Sequence, residues 1–151
     1  MYRYKFSVGF IGLGLSKLYT LNPLCEYDEK LMAKLEYKTI KGSEFKRQFP
    51  NYKAMKFIGN NSKNFPYKVG INTNDEPFKP YGSCAGGGLY FTDETNIFEY
   101  ACYGNRIAMI KLLDDENIYI EDKKCKTNLF EITEIIGIRE YLIRLTKDEM
   151  M

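Results

Sequence analysis

The 151-residue chain contains no histidine. That removes Ser-His-Asp and Cys-His catalysis, and every metal site that needs an imidazole ligand. There is no tryptophan either, so the aromatic fraction of 15% is tyrosine and phenylalanine alone. The four cysteines, Cys25, Cys84, Cys102 and Cys125, stand 59, 18 and 23 positions apart. No CxxC pair exists, so the ligand spacing of a structural zinc site is missing. Single, scattered cysteines suit thiols in a reducing compartment, and four free thiols in an intracellular protein are expected. Long apolar runs are also scarce. Phe6 to Leu21 is the most apolar N-terminal stretch, but Gly9, Gly12, Gly14 and Lys17 interrupt it, and it is too short to cross a bilayer. Neither a clean apolar run nor the small-residue cleavage site of a signal peptide is clear. No membrane partner is expected.

What is present is enough apolar material, 44% of residues, for one domain with a real core. A single domain over residues 1–151 is expected, with 1–53 read either as an N-terminal extension or as part of the same core. Net charge is +2, unevenly spread. Residues 1–80 carry 14 basic and 7 acidic side chains, net +7, and residues 81–151 carry 8 and 13, net −5. Two halves of opposite sign attract and pack. The other reading is a basic N-terminal surface for nucleic acid, although the lysines are dispersed and no recognised RNA- or DNA-binding motif occurs.

The best-specified stretch runs from Pro80 to Glu94. Three consecutive glycines, Gly86, Gly87 and Gly88, let the backbone take positive φ or lie very close to another chain or a ligand. Leu89-Tyr90-Phe91 follows as a short strand, buried on at least one face. Thr92 or Asp93 then reads as the cap of a helix that turns Ile97, Phe98 and Ala101 inward and ends at Gly104. Arg106 to Leu113 reads as the next strand, completing a strand, crossover helix, strand unit. The glycines precede the strand, whereas phosphate loops follow one, so the loop is a weak phosphate-binding candidate.

Around this unit the chain reads in short pieces. Tyr2 to Phe6 alternates like a half-exposed strand. Gly9, Gly12 and Gly14 lack the order of a nucleotide-binding loop and read as a turn, and Asn22-Pro23 as a break. Leu24, Tyr27, Leu31 and Leu35 predict a helix over about Cys25–Lys38, and Ser43 the cap of a shorter one, Glu44–Phe49. Strands are predicted at Ala54–Ile58 and Tyr67–Asn72, separated by the turn Gly59-Asn60-Asn61-Ser62. The connection from Thr73 to Gly87 is surface loop. Ile118–Ile120, a strand through Leu129, Phe130, Ile132 and Ile135, and a closing amphipathic helix through Ile138, Tyr141, Leu142 and Leu145 complete the chain. The expected fold is α+β: a small mixed or mainly antiparallel sheet with three or four helices, Leu89–Phe91 and Ile107–Leu112 being central strands.

Met55-Lys56-Phe57, Tyr67-Lys68-Val69-Gly70-Ile71-Asn72, Pro77-Phe78, Gly82-Ser83-Cys84, Gly87 through Asp93, Tyr103-Gly104 and Lys124 through Asn128 occur in that order. This series resembles a domain of unknown function in giant DNA viruses of amoebae and their satellites, often N-terminal to ankyrin repeats. It covers about residues 54–136, roughly half the chain, and leaves the first 50 residues and any repeats unmatched. The resemblance implies a viral protein in the cytoplasm of an infected host cell. It supplies no catalytic residue and no cofactor. Gly88-Leu89-Tyr90-Phe91 is also similar to the central strand of ADP-ribosyltransferases. There Tyr90 would stack on nicotinamide and Glu131 is a guess for the glutamate, but the required histidine has no counterpart.

The leading expectation is a non-catalytic interaction module with a protein partner, no cofactor and no metal. Its ligand or partner contacts would be Tyr81, Ser83, Cys84, Gly87, Gly88 and Tyr90. The alternatives are an ADP-ribosyltransferase-like nucleotide-binding domain using Tyr90, and nucleic-acid binding through the basic half. An open, polar cleft beside Tyr90 would favour the nucleotide reading. Cys84 as a reactive nucleophile would need a lysine or helix terminus to activate it.

Overall fold

A computed structural model describes residues 24–59 and 66–150. Its helices are α1 (Leu24–Lys34), α2 (Gly42–Gln48) and α3 (Ile138–Met150), with a 3-10 segment at Ile97–Tyr103. Its strands are β1 (Thr39–Lys41), β2 (Ala54–Ile58), β3 (Gly70–Thr73), β4 (Leu89–Asp93), β5 (Arg106–Lys111), β6 (Asn117–Ile120), β7 (Cys125–Thr127) and β8 (Leu129–Gly137). All eight join one sheet in the order β1-β6-β7-β4-β2-β5-β8-β3, each neighbouring pair antiparallel. The α+β class and the central places of β4 and β5 are as the sequence predicts. The sheet is larger than the small one expected. Two strands of three residues, β1 and β7, are the difference. Neither carries an apolar alternation, and β7 reads Cys-Lys-Thr although all three residues are buried.

β4 and β5 both run antiparallel to β2, which lies between them, and so run parallel to one another. The link between them is the predicted crossover, but it is 3-10 and kinked at Tyr100 rather than α-helical. Ile97, Phe98, Tyr100, Cys102 and Tyr103 are all poor α-helix formers, which accounts for it. Asp93 supplies the turn that leads in: its Oδ1 accepts from the Asn96 backbone N–H at 3.0 Å and from Asn96 Nδ2 at 2.9 Å. Thr92 caps nothing; its hydroxyl donates to the Lys123 carbonyl at 2.6 Å. Gly104 is extended, and its glycine is required for space instead: a Cβ there would strike the Ile58 carbonyl oxygen. Ser43 likewise lies inside α2, whose cap position is Lys41, without a side-chain capping bond. The expected strand at Tyr2–Phe6, the turn at Gly9–Gly14, the Asn22-Pro23 break and residues 60–62 lie outside the described residues.

Alternation along β2 divides the interior in two. Ala54 and Ile58 enter one core with Phe45, Phe49, Leu89, Phe91, Ile118, Ile120, Phe130 and Ile132. Met55 and Phe57 enter the other with Ile97, Ile107, Ile136 and Tyr141, beneath the 3-10 segment and α3. α2 delivers an aromatic cluster to the first core. Phe45 meets Tyr52 edge-on at 4.9 Å and Phe91 at 6.3 Å between ring centroids. Such pairs add ~0.5–1.5 kcal/mol beyond area burial.

Phe91 is 2% exposed. Phe91→Ala is expected to cost ~3–5 kcal/mol in denaturant melts, while Lys111→Ala, on the exposed end of β5, should stay within ~0.5 kcal/mol. A loss under ~1 kcal/mol for Phe91→Ala would place the ring outside the core.

Candidate functional site

The loop from Pro80 to Gly88 joins β4 at the centre of the sheet. Its backbone takes left-handed φ three times, at Gly82, Cys84 and Gly87. A loop of that shape has few internal hydrogen bonds, and side chains from the neighbouring strands supply them. Lys126 of β7, the cross-strand partner of Tyr90, donates to the carbonyls of Tyr81 and Gly86, each at 3.2 Å. The Tyr119 hydroxyl donates to the Gly82 carbonyl at 3.0 Å, and Glu121 Oε1 accepts from the Cys84 N–H at 2.7 Å. The Tyr90 hydroxyl accepts from the Ala85 N–H at 3.1 Å.

Lys126 is completely buried. Taking an ammonium out of water costs several kcal/mol, offset here by two carbonyls and by the rings of Tyr90 at 5.5 Å and Tyr119 at 5.3 Å. Burial holds its pKa below the usual lysine value, against the pull of Glu121. The stem of this lysine also explains one glycine. A Cβ on Gly88 would overlap Lys126 Cγ, so the close approach the sequence predicts is made to the chain's own lysine.

The structure therefore sorts the expected contact residues. Tyr81, Ser83 and Cys84 form an exposed crest, with Tyr81 62% accessible. Gly87 is buried, and Gly88 and Tyr90 are half-buried beneath the crest. Cys84 Sγ accepts from Lys124 Nζ at 2.8 Å, and that ammonium lies 4.5 Å from the centroid of the Tyr90 ring. Lys124 also faces Glu121 Oε2 at 3.5 Å, an oxygen that has no hydrogen bond.

Beside Tyr90 a cleft of about 320 Å³ opens. Its origin is in the sheet. β2 and β4 form only two residue pairs, Ala54↔Asp93 and Met55↔Thr92, and then part. The Tyr90 carbonyl, past the end of that ladder, is taken by Lys56 Nζ at 2.9 Å. Lys56 sits at an inward position of β2 with its ammonium 5.1 Å from the Tyr67 ring centroid. No carboxylate pairs with it among the described residues. Burial, and then the like charge of Lys124, pull its pKa down to about 8. Tyr67, Tyr90, Tyr100 and Tyr103 line the cleft with Cys84 and the two lysines, and among the described residues no acidic side chain does.

The chain is similar to an ankyrin repeat protein, R229, of Acanthamoeba polyphaga mimivirus, 44% identical over 50 residues. That stretch is 32% of this chain and 16% of the relative's length. The similarity ties the chain to a viral, ankyrin-bearing protein. No family model matches the chain, and no solved structure matches it.

Tyr90 and Glu131, the two groups drawn from the ADP-ribosyltransferase likeness, are not brought together. Glu131 pairs with Ile71 and Lys111 on β8, three strands from β4 and hence roughly 14 Å away. The Tyr90 ring carries lysine ammoniums, where the likeness implies a nicotinamide. Lys56, Lys124 and Lys126 went unnoticed in the sequence as site residues. A lysine inside the apolar run Ala54–Ile58 was the available signal for the first.

No helix of the described residues is long and apolar enough to cross a membrane, and no cluster of three metal-ligating side chains occurs among them. Cys84, Cys102 and Cys125 are free thiols, the first two exposed. In native protein Cys84 and Cys102 should be alkylated first, and Cys125, 1% exposed, only after unfolding. Peptide mapping checks this, and early labelling of Cys125 would show that β7 opens. Lys56 gives a pH test. Its folded pKa, about 8, is below its unfolded value, so the folded state binds fewer protons between about pH 8 and 10.5. Stability should rise through that window by up to ~3 kcal/mol. Lys56→Met should remove the rise and stabilise the protein at pH 7, as paired urea melts would show.

Proposed function

We propose that the chain is a non-catalytic interaction module of a viral protein, working in the cytoplasm of the infected host cell. It contacts a protein partner through the crest Tyr81, Ser83 and Cys84, with Gly87, Gly88 and Tyr90 as the platform beneath. One observation carries this reading. The crest is exposed, yet its backbone is fixed by hydrogen bonds from Lys126, Tyr119, Glu121 and Tyr90. A surface loop held in one shape loses little entropy on docking, and rigid presentation of an aromatic side chain is how binding loops gain affinity. Tyrosine is among the residue types that dominate interface energies. The viral ankyrin repeat relative fits such a role, since stacked repeats present extended concave binding surfaces.

Quantitative capture from infected cells tests the reading. Tyr81→Ala should lower capture of a specific partner by at least ~10-fold, an interface cost of ~1.4 kcal/mol or more, with an unchanged melting temperature. Ile143→Ala, on the exposed face of α3, should have no effect. Equal capture by wild type and Tyr81→Ala would overturn the crest as the contact. NAD turnover lost in a folded Tyr90→Ala variant would overturn the non-catalytic reading. Binding of short RNA alone would move the contact to the basic N-terminal half.

A further inference from the structure

The cleft between β2 and β4 shares Cys84 and Tyr90 with the crest and its platform, but Lys56, Tyr67, Tyr100 and Tyr103 lie outside them and have no use in partner docking there. Its walls are tyrosines: Tyr67, which stacks on Phe130 at 6.1 Å, and Tyr100, which stacks on Tyr103 at 6.5 Å. Two ammoniums reach the same space, and Lys124 is near enough to disfavour a second charge on Lys56. Glu121 answers Lys124 in part, at 3.5 Å. Among the described residues Lys56 has only a carbonyl and a ring face. A half-buried cation with no counter-charge among the described residues is one that an incoming anion would stabilise. Two ammoniums over one space suit a doubly charged group better than a carboxylate. We propose that this cleft binds a small phosphate monoester carrying a planar ring, with Lys56 and Lys124 on the phosphate and the tyrosines on the ring.

At about 320 Å³ the cleft falls at the small end of ligand pockets, enough for a mononucleotide-sized molecule and too small for a dinucleotide. The ligand keeps Lys56 protonated, so its affinity has a defined pH dependence. Between about pH 7 and 8 the free amine is charged and the phosphate doubly ionised, and affinity is flat; above about pH 8 it falls, approaching ~10-fold per pH unit, and below ~6 it falls again as the phosphate takes up a proton. The groups facing Lys56 across the cleft are Lys124, Cys84, Tyr67, Tyr90, Tyr100 and Tyr103. Burial raises the phenol pKa values of Tyr67 and Tyr90, so neither produces a transition near pH 8.

Calorimetric titration of the full chain with AMP, phenyl phosphate, adenosine and inorganic phosphate tests the proposal. AMP or phenyl phosphate should bind, with adenosine and inorganic phosphate at least ~10-fold weaker. Lys56→Met and Lys124→Met should each weaken binding ~10-fold or more, and Lys111→Met should not. Cys84→Ser should keep both the affinity and the fall above pH 8. Failure of both aromatic phosphates at millimolar concentration would overturn the proposal, as would equal binding by the Lys56→Met variant. Adenosine binding as well as AMP would remove the phosphate from the site, and inorganic phosphate binding as well would remove the ring. A pH profile abolished by Cys84→Ser would assign the titration to the thiol and overturn the role of Lys56.

Discussion

A single ammonium, that of Lys126, governs the middle of this molecule. It has no access to water, so every one of its interactions has to be supplied by the fold. Two backbone carbonyls of the 80–88 loop and two tyrosine rings supply them. The dependence runs both ways. A loop with three left-handed residues and little internal bonding would be mobile on its own, and Lys126 gives it one shape. Replacing the lysine by an apolar residue would leave the Tyr81 and Gly86 carbonyls without the bonds they now accept. Even Gly88 follows from it, because the lysine stem lies where a side chain would be.

The same device recurs two strands away, with a different outcome. Lys56 also points inward and also bonds a backbone carbonyl, that of Tyr90. Lys126 closes its surroundings, whereas Lys56 stands in a gap that the sheet leaves open. The difference is in the ladders. β7 and β4 stay paired over three residues, so Lys126 is enclosed; β2 and β4 stay paired over two and part beside Lys56. One lysine became structural and the other remained beside open space.

Much of the fold was legible because its signals were local. β2, β4, β5 and β8 are apolar or alternating runs between turn residues, and the crossover between β4 and β5 showed the aspartate of its leading turn and its closing glycine. β7 was not legible, because Cys-Lys-Thr has no hydrophobic pattern and its burial depends on a loop some forty residues away in sequence. Neither expected capping residue caps the segment: Asp93 makes the turn that leads in, through Asn96, and Thr92 bonds across to Lys123. The close backbone approach that the glycine run implies is present at Gly88, but it is made to an internal lysine. Tyr90 drew notice as a ring on a central strand. That its faces carry lysines is tertiary information, set by the pairing of β4 with β7. The quoted motifs around Lys56, Tyr67, Cys84, Tyr90, Tyr103 and Lys124 are scattered over seventy positions, yet all six residues line one cleft.

The two-pair junction of β2 with β4 divides the sheet into a β1-β6-β7-β4 half and a β2-β5-β8-β3 half. What spans the division is mostly the aromatic packing of Phe45, Tyr52 and Phe91, together with the aliphatic side chains of the first core. Hydrogen-bond ladders resist sliding in discrete steps, since each step exchanges every pair and every face. Ring and methyl contacts are non-directional and yield by degrees. The junction between the halves therefore has the shortest ladder in the sheet to resist shear, and it lies at the Tyr90 cleft.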